Sequence, residues 1–168
     1  LPKQAVQRSA EGNHVVTVDE KFFSSQKKSV LTQIKALIDR NVPHLYAPYS
    51  FFDENQTLYF VLQYADSVSL EESDVPITAG YLHSLALMLC DTYTALHSCG
   101  FCYGSIAEKD ILLHPDGSFC LASADHLKRI TSASDVSQDM YMLSSFLSDL
   151  FLLVDSETKS ETLPSPYT

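Results

Sequence analysis

His97-Ser98-Cys99-Gly100-Phe101-Cys102-Tyr103-Gly104-Ser105-Ile106-Ala107-Glu108-Lys109-Asp110-Ile111-Leu112-Leu113 carries the end of a helix, a loop and the start of a strand. Upstream of it, Leu82, Leu85, Leu89, Tyr93 and Leu96 recur at three- and four-residue steps, the period of an amphipathic helix, and Gly100 is placed to end that helix in a left-handed cap. Downstream, Ile111-Leu112-Leu113-His114 and Phe119-Cys120-Leu121 flank Pro115-Asp116-Gly117, residues that favour a tight turn, so a short hairpin is predicted. The helix is the expected buried spine of the second half.

Beyond the hairpin, a final helix is expected from about Asp135 to Val154. Its apolar stripe would be Met140, Leu143, Leu147, Leu150 and Val154, with Gln138 placed for a capping box with Asp135. Towards the N-terminus, Val15-Val16-Thr17-Val18 reads as a strand. Val30, Leu31, Ile34, Leu37 and Ile38 give a helix from Gln26 to Arg40, which Pro43 prevents from continuing. Tyr49 to Phe52 and Leu58 to Tyr64, separated by Asp53-Glu54-Asn55-Gln56, form an expected antiparallel hairpin. Residues 1–13 read as a frayed edge, Asp66 to Asp74 as an acidic surface connector, and residues 155–168 as a Ser/Thr/Pro-rich tail. No internal repeat is present.

The 168 residues are 45% apolar, enough for one globular unit with its own core. A formal charge of −10 repels phosphate backbones and anionic lipid, so neither nucleic acid nor a membrane surface is an expected partner. The longest apolar run, Tyr141 to Val154, is short of a membrane span and contains Asp149. Leu1-Pro2-Lys3-Gln4-Ala5-Val6 has neither an initiator Met nor an apolar signal region and is expected to be a cut from a longer chain. Four cysteines, Cys90, Cys99, Cys102 and Cys120, are too few and too clustered to staple the domain, and a reducing, cytoplasmic setting is expected.

Cys99-Gly100-Phe101-Cys102 has the spacing of a redox pair, but it follows a helix C-terminus, the pole that does not lower a thiol pKa. A zinc site from Cys90, His97, Cys99 and Cys102 lacks a second close-spaced pair, and buried structural thiols are the better reading. His14, His44, His83, His114 and His126 have no spacing that signals a metal or a triad. Asp66, Glu71, Glu72 and Asp74, set around Ser67, Ser69 and Ser73, read as a solvated rim.

The order strand, helix, hairpin, acidic connector, long helix, loop, hairpin and helix resembles a protein kinase domain entered just after its glycine-rich loop, over roughly residues 14 to 154. His97 to Leu113 is similar to the family's helix end, catalytic loop and following strand. Leu58 to Ala65 resembles the strand entering the interlobe hinge, with Leu62 in the gatekeeper's place. Asp139-Met140-Tyr141-Met142-Leu143 resembles the start of the large helix that anchors the catalytic loop. The resemblance implies an α+β, two-lobe kinase-like architecture, incomplete, with an N-lobe-like half at residues 14–64, a partial C-lobe-like half at residues 65–154 and the tail.

It does not imply the chemistry. In the family the catalytic-loop Asp accepts the substrate hydroxyl proton and an Asn five positions on helps to hold magnesium. Here Tyr103-Gly104-Ser105 replaces His-Arg-Asp, Asp110 replaces the Asn, and Ser123-Ala124-Asp125 stands for the metal-binding Asp-Phe-Gly. A serine hydroxyl is no base at neutral pH. Asp19 falls at the phosphate-binding Lys, Gln33 at its Glu partner, and residues 1–14 hold only Gly12 where a phosphate cradle is needed. The segment from Ser123 to Asp139 is also short for a substrate-binding segment and has no Ala-Pro-Glu.

The resemblance therefore implies a pseudokinase, without catalytic residues or cofactor, that scaffolds protein partners or self-associates. Cytoskeletal, centrosomal or checkpoint assemblies are the implied settings, as for NIMA-related and kinetochore pseudokinases, in the cytoplasm with the cytoskeleton or nucleus as alternatives. A second expectation is a kinase-fold enzyme or nucleotide-binding switch that uses Asp110 and Asp125 as atypical metal ligands; a third is a plain interaction domain. The expected interaction surface is the last helix, where Phe146, Phe151 and Leu152 widen the apolar arc beyond one packed face.

Overall fold

The computed structural model describes residues 6–8, 15–17, 19–54, 57–64, 66–122 and 127–154. These are mixed α and β: β1 (Val6–Arg8), β2 (Val15–Thr17), α1 (Glu20–Arg40), β3 (Leu45–Tyr46), β4 (Ser50–Glu54), β5 (Thr57–Val61), β6 (Val68–Ser69), α2 (Ala79–Ser98), β7 (Phe101–Cys102), β8 (Ile111–Leu113), β9 (Phe119–Ala122), β10 (Lys128–Arg129) and α3 (Ala133–Leu153). Two short 3-10 turns, Leu70–Glu72 and Glu108–Asp110, complete the order. The chain divides into two compact units. One has the described residues up to Asn41 and those from Ala47 to Tyr64; the other has Val42–Tyr46 and the described residues from Asp66 onward.

In the first unit, β1 pairs antiparallel with β2, Val6 facing Thr17 and Arg8 facing Val15. Val6–Arg8, inside the stretch read as a frayed edge, is thus a strand, while residues 1–5 and 9–13 lie outside the described residues: three residues are too few to show a period, and the partner supplies the order that their own sequence hides. The first helix begins at Glu20 rather than Gln26 because the Asp19 carboxylate accepts from the Phe22 backbone N–H at 3.0 Å. Asp19 therefore caps a helix and does not extend the strand, as its expected place at the Lys position required. Phe23, Ile34 and Leu37 are the buried face of α1, and Gln33 beside them is half-buried. Asn41 ends the helix in the left-handed region (φ 45°), its N–H donating to the Leu37 carbonyl at 3.0 Å.

The β4–β5 hairpin forms as expected, with the first strand reaching Glu54. Phe52 and Tyr59, paired across it, stack with ring centres 5.0 Å apart. Lys27 on α1 reaches Asp53 at 2.6 Å, and Lys35 lies 5.8 Å from the Phe51 ring centre, so the helix and hairpin of this unit are joined by charge as well as packing.

The second unit is built on a four-stranded sheet of order β3-β9-β8-β6, with β3 parallel to β9 and the other pairs antiparallel. Val42–Tyr46, inside the half read as N-lobe-like, belongs to it: Leu121 N–H donates to the His44 carbonyl at 2.7 Å, and the Thr92 hydroxyl to the Pro43 carbonyl at 3.1 Å. The acidic connector is likewise more than a surface loop. Val68 and Ser69 pair with Leu113 and Leu112, and Leu70 is buried. The turn after β8 follows its residue chemistry, with Gly117 at φ +82° and its N–H donating to His114 at 2.9 Å. Helix α2 buries Leu85, Met88, Leu89, Thr92, Tyr93 and Leu96, its N-terminus capped by the Thr78 hydroxyl.

Helix α3 departs most from its expected pattern. Its buried positions are Asp139, Leu143, Phe146 and Leu150; Met140, expected on the stripe, is 43% exposed, and Phe146, expected on the interaction surface, is 8% exposed and part of the core. A buried carboxylate has turned the N-terminal half of the helix by one position, and hydrophobic periodicity gives no weight to it. The cap also shifts: Ser132 precedes the helix, and the Asp135 carboxylate, at its third position, accepts from Ser132 N–H (2.8 Å), Thr131 N–H (2.7 Å) and the Thr131 hydroxyl (2.8 Å). Gln138 is not a partner in this cap.

The bonds from Thr131 and Ser132 lower the Asp135 pKa from 3.8 to about 2. A depressed folded value means that the cap's stabilisation is present above pH 3.8 and fades as pH falls from there through 2. Acid unfolding followed by circular dichroism should therefore be shallower over that interval in Asp135→Asn than in the wild-type chain.

Candidate functional site

The loop from Tyr103 to Asp110 is held at both ends by backbone geometry before any side chain acts. At its entry, α2 closes with Cys99 N–H donating to the Ala95 carbonyl (3.1 Å) and Gly100 N–H to the His97 carbonyl (3.0 Å). Gly100 adopts φ +81°, a conformation that side chains disfavour, so the expected left-handed turn is present. The chain then enters β7, which pairs with β10, and Ile130 N–H donates to the Gly100 carbonyl at 2.9 Å. At its exit, the loop makes the 3-10 turn that leads into β8.

Between these ends the loop rests on Asp139. Its carboxylate, 1% exposed, accepts from His97 Nε2 at 2.7 Å and Tyr103 N–H at 3.2 Å through Oδ2, and from Gly104 N–H at 2.6 Å through Oδ1. A carboxylate removed from water is costly unless its oxygens find donors, and charge-assisted bonds from three donors offset that cost. One side chain of α3 thus ties together the last turn of α2 and the start of the loop.

Aromatic side chains close over this centre. Tyr103 is fully buried and donates its hydroxyl to the Ala122 carbonyl at 2.9 Å, and Tyr93 lies between it and His97, with ring centres 6.0 and 6.1 Å away. Burial, with Asp139, Tyr103 and Asp110 nearby, raises the Tyr93 pKa, so its hydroxyl stays protonated. That hydroxyl is buried without a hydrogen-bond partner among the described residues. Burial and the Asp139 charge also push the Cys102 thiol up to about 11. Such a thiol is no nucleophile at neutral pH, which removes the basis for a reactive Cys99–Cys102 pair. All four cysteines are free; Cys102 and Cys120 are buried as expected, whereas Cys90 is exposed and Cys99 half-buried.

Ser105 is exposed on the loop. Asp110 is 7% exposed and turns its carboxylate inward, Oδ2 accepting from Ala107 N–H at 2.9 Å. One of its two oxygens therefore serves the turn. Ser123 and Asp125 lie outside the described residues, as do His14 and His126. Leu62 is 41% exposed. Phe151 and Leu152, at the end of α3, are 52% and 75% exposed, next to Leu153 at 61%.

No family model matches the chain, and no curated protein matches it. The site must therefore be judged on its own geometry. The residues that organise it, His97 and Asp139, stand 42 positions apart in sequence. The resemblance gives Asp139 only as the start of an anchoring helix and His97 only as the end of the helix before the loop, and a zinc site that includes His97 is set aside on spacing. The signal that joins them is a lone Asp inside the apolar phase of α3.

An unpartnered buried hydroxyl costs about 1–3 kcal/mol of desolvation that an apolar ring avoids. Tyr93→Phe should raise the unfolding free energy by about 1 kcal/mol in urea denaturation, while Tyr103→Phe, which breaks a formed bond, should lower it.

Proposed function

We propose that this chain is a kinase-like module without phosphotransfer chemistry whose work is to bind protein, either a partner or a second copy of itself. The observation that carries this reading is the disposition of charge around the loop. The only loop carboxylate at a family metal position among the described residues, Asp110, stands where the family has an Asn and is engaged through Oδ2 by the Ala107 N–H, and Ser105 offers a hydroxyl where a base is needed. Asp19, spent on capping α1, supplies no cation for phosphate. The loop is nevertheless held firmly by Asp139, as a scaffold is when its shape outlasts its chemistry.

The binding surface on this reading is the last turn of α3, where Leu152 and Leu153 are largely exposed beside Phe151. Phe146 is excluded from it because it is core. A reducing, cytoplasmic setting belongs to the same proposal, on the ground that four clustered cysteines are too few to staple a domain with its own core. No helix among the described residues is long and apolar enough to cross a membrane.

A ligand at ten times its Kd adds about 1.4 kcal/mol to the stability of the folded state. Millimolar ATP with magnesium should leave the melting temperature of the chain unchanged, and no phosphate should be transferred to a generic protein substrate. A reproducible upward shift, or transfer that is lost in Asp110→Asn, contradicts the proposal. Leu152→Lys should weaken association in sedimentation velocity and change stability by less than about 0.5 kcal/mol, as expected of a surface position. Unfolding of that variant would place Leu152 in the core.

A further inference from the structure

The Asp139 centre has a second property, independent of any resemblance to kinases. Three side chains of different donor type converge on it from three elements: His97 from the last turn of α2, Cys102 from β7 and Asp139 from α3. Their ligating atoms, imidazole nitrogen, thiol sulfur and carboxylate oxygen, all lie within 4.8 Å of one another. Asp19, Asp110 and Asp135 serve caps and turns, but here imidazole, thiol and carboxylate meet in one buried place.

We propose that His97, Cys102 and Asp139 form a binding site for a divalent transition metal, zinc by preference, through His97 Nε2, Cys102 Sγ and Asp139 Oδ2. The donor set is mixed nitrogen, sulfur and oxygen, which suits zinc and disfavours magnesium or calcium, whose ligands are oxygens. Charge supports the assignment: one thiolate and one carboxylate neutralise a dication, so the loaded site carries no net charge into the interior. On binding, the thiol proton leaves to solvent, and the neutral imidazole, whose Nε2–H faces Asp139 in the free chain, passes to the Nδ1–H tautomer by exchange with solvent, which frees the Nε2 lone pair for the metal. The raised thiol pKa opposes loading in the free chain, but a coordinating thiol is deprotonated by the metal itself.

The geometry is close to what coordination needs. Ligand distances of about 2.0 Å for nitrogen and oxygen and 2.3 Å for sulfur set tetrahedral ligand atoms roughly 3.3 to 3.6 Å apart. The His97–Asp139 separation of 2.7 Å must open by about 0.6 Å, within reach of a side-chain rotation, as the metal replaces the shared proton. The Gly104 N–H holds Oδ1, and the Tyr103 N–H, at 3.2 Å, stays on Oδ2 beside the metal, the outer-shell support that ligating carboxylates usually have. The His97 side chain, 17% exposed, gives solvent a way to the centre, so a water completes the fourth position. Sequence spacing argues against a zinc site of Cys90, His97, Cys99 and Cys102; the fold unites two of these with an Asp 37 residues beyond Cys102.

Cobalt(II) titration of the intact chain, purified with a chelator and reductant and then freed of both, tests the site. One equivalent should produce a sulfur-to-cobalt charge-transfer band in the near ultraviolet with visible bands of tetrahedral intensity, and zinc should bleach both. Cys102→Ser, checked for native circular dichroism, should lose the charge-transfer band. If that variant fails to fold, Cys90→Ser/Cys99→Ser and Cys120→Ser decide by elimination, since both must keep the band. Absence of the band in the wild-type chain, its retention in folded Cys102→Ser, or its loss in either of the other folded variants overturns the proposal.

Discussion

The Asp139 carboxylate is the constraint on which the second unit depends. It is removed from water and held by one imidazole and two backbone N–H groups, so each neighbour that moves takes a donor from a buried carboxylate. The phase of α3 follows from this, because turning the helix to bury Met140 would carry Asp139 away from its donors. The path of the chain from Gly100 to Gly104 follows as well, since two consecutive amides must face one carboxylate. Packing then completes what charge has fixed, with Tyr93 and Tyr103 filling the space beside the pair.

This arrangement separates the shape of a loop from its reactivity. A loop that performs acid–base or metal chemistry keeps a carboxylate free to meet its ligand. In this loop Asp110 faces its own backbone and Ser105 faces solvent, while the one strongly organised carboxylate lies beneath the loop. Rigidity without a free reactive group suits recognition by surface, and it suits a metal that acts as a clamp. The two roles are compatible, because a metal at His97, Cys102 and Asp139 would join α2, β7 and α3 without touching the end of α3.

Much of the fold was legible where apolar residues alone decide. The α2 stripe, the Gly100 turn, the β8–β9 hairpin and the β4–β5 hairpin follow from period and turn chemistry, and each stands within a few residues of its expected place. Polar side chains with specific partners were not legible. Asp19 caps α1 eleven residues before Val30, where its apolar stripe begins; Asp135, expected to cap with Gln138, instead bonds Thr131 and Ser132; and Asp139 reverses the roles of Met140 and Phe146. Short strands fail for another reason: Val6–Arg8, Leu45–Tyr46 and Val68–Ser69 owe their order to partners elsewhere in the chain. The candidate site is the extreme case, since its two organising residues are far apart in sequence and neither belongs to an apolar pattern.

Amide hydrogen exchange at Tyr103 and Gly104 tests the central role of Asp139 most directly. If the carboxylate holds the loop, both amides exchange only when the second unit unfolds, with an opening free energy equal to that of the buried amides of α2. Exchange of either amide at the rate of an open loop, while α2 remains protected, would contradict it.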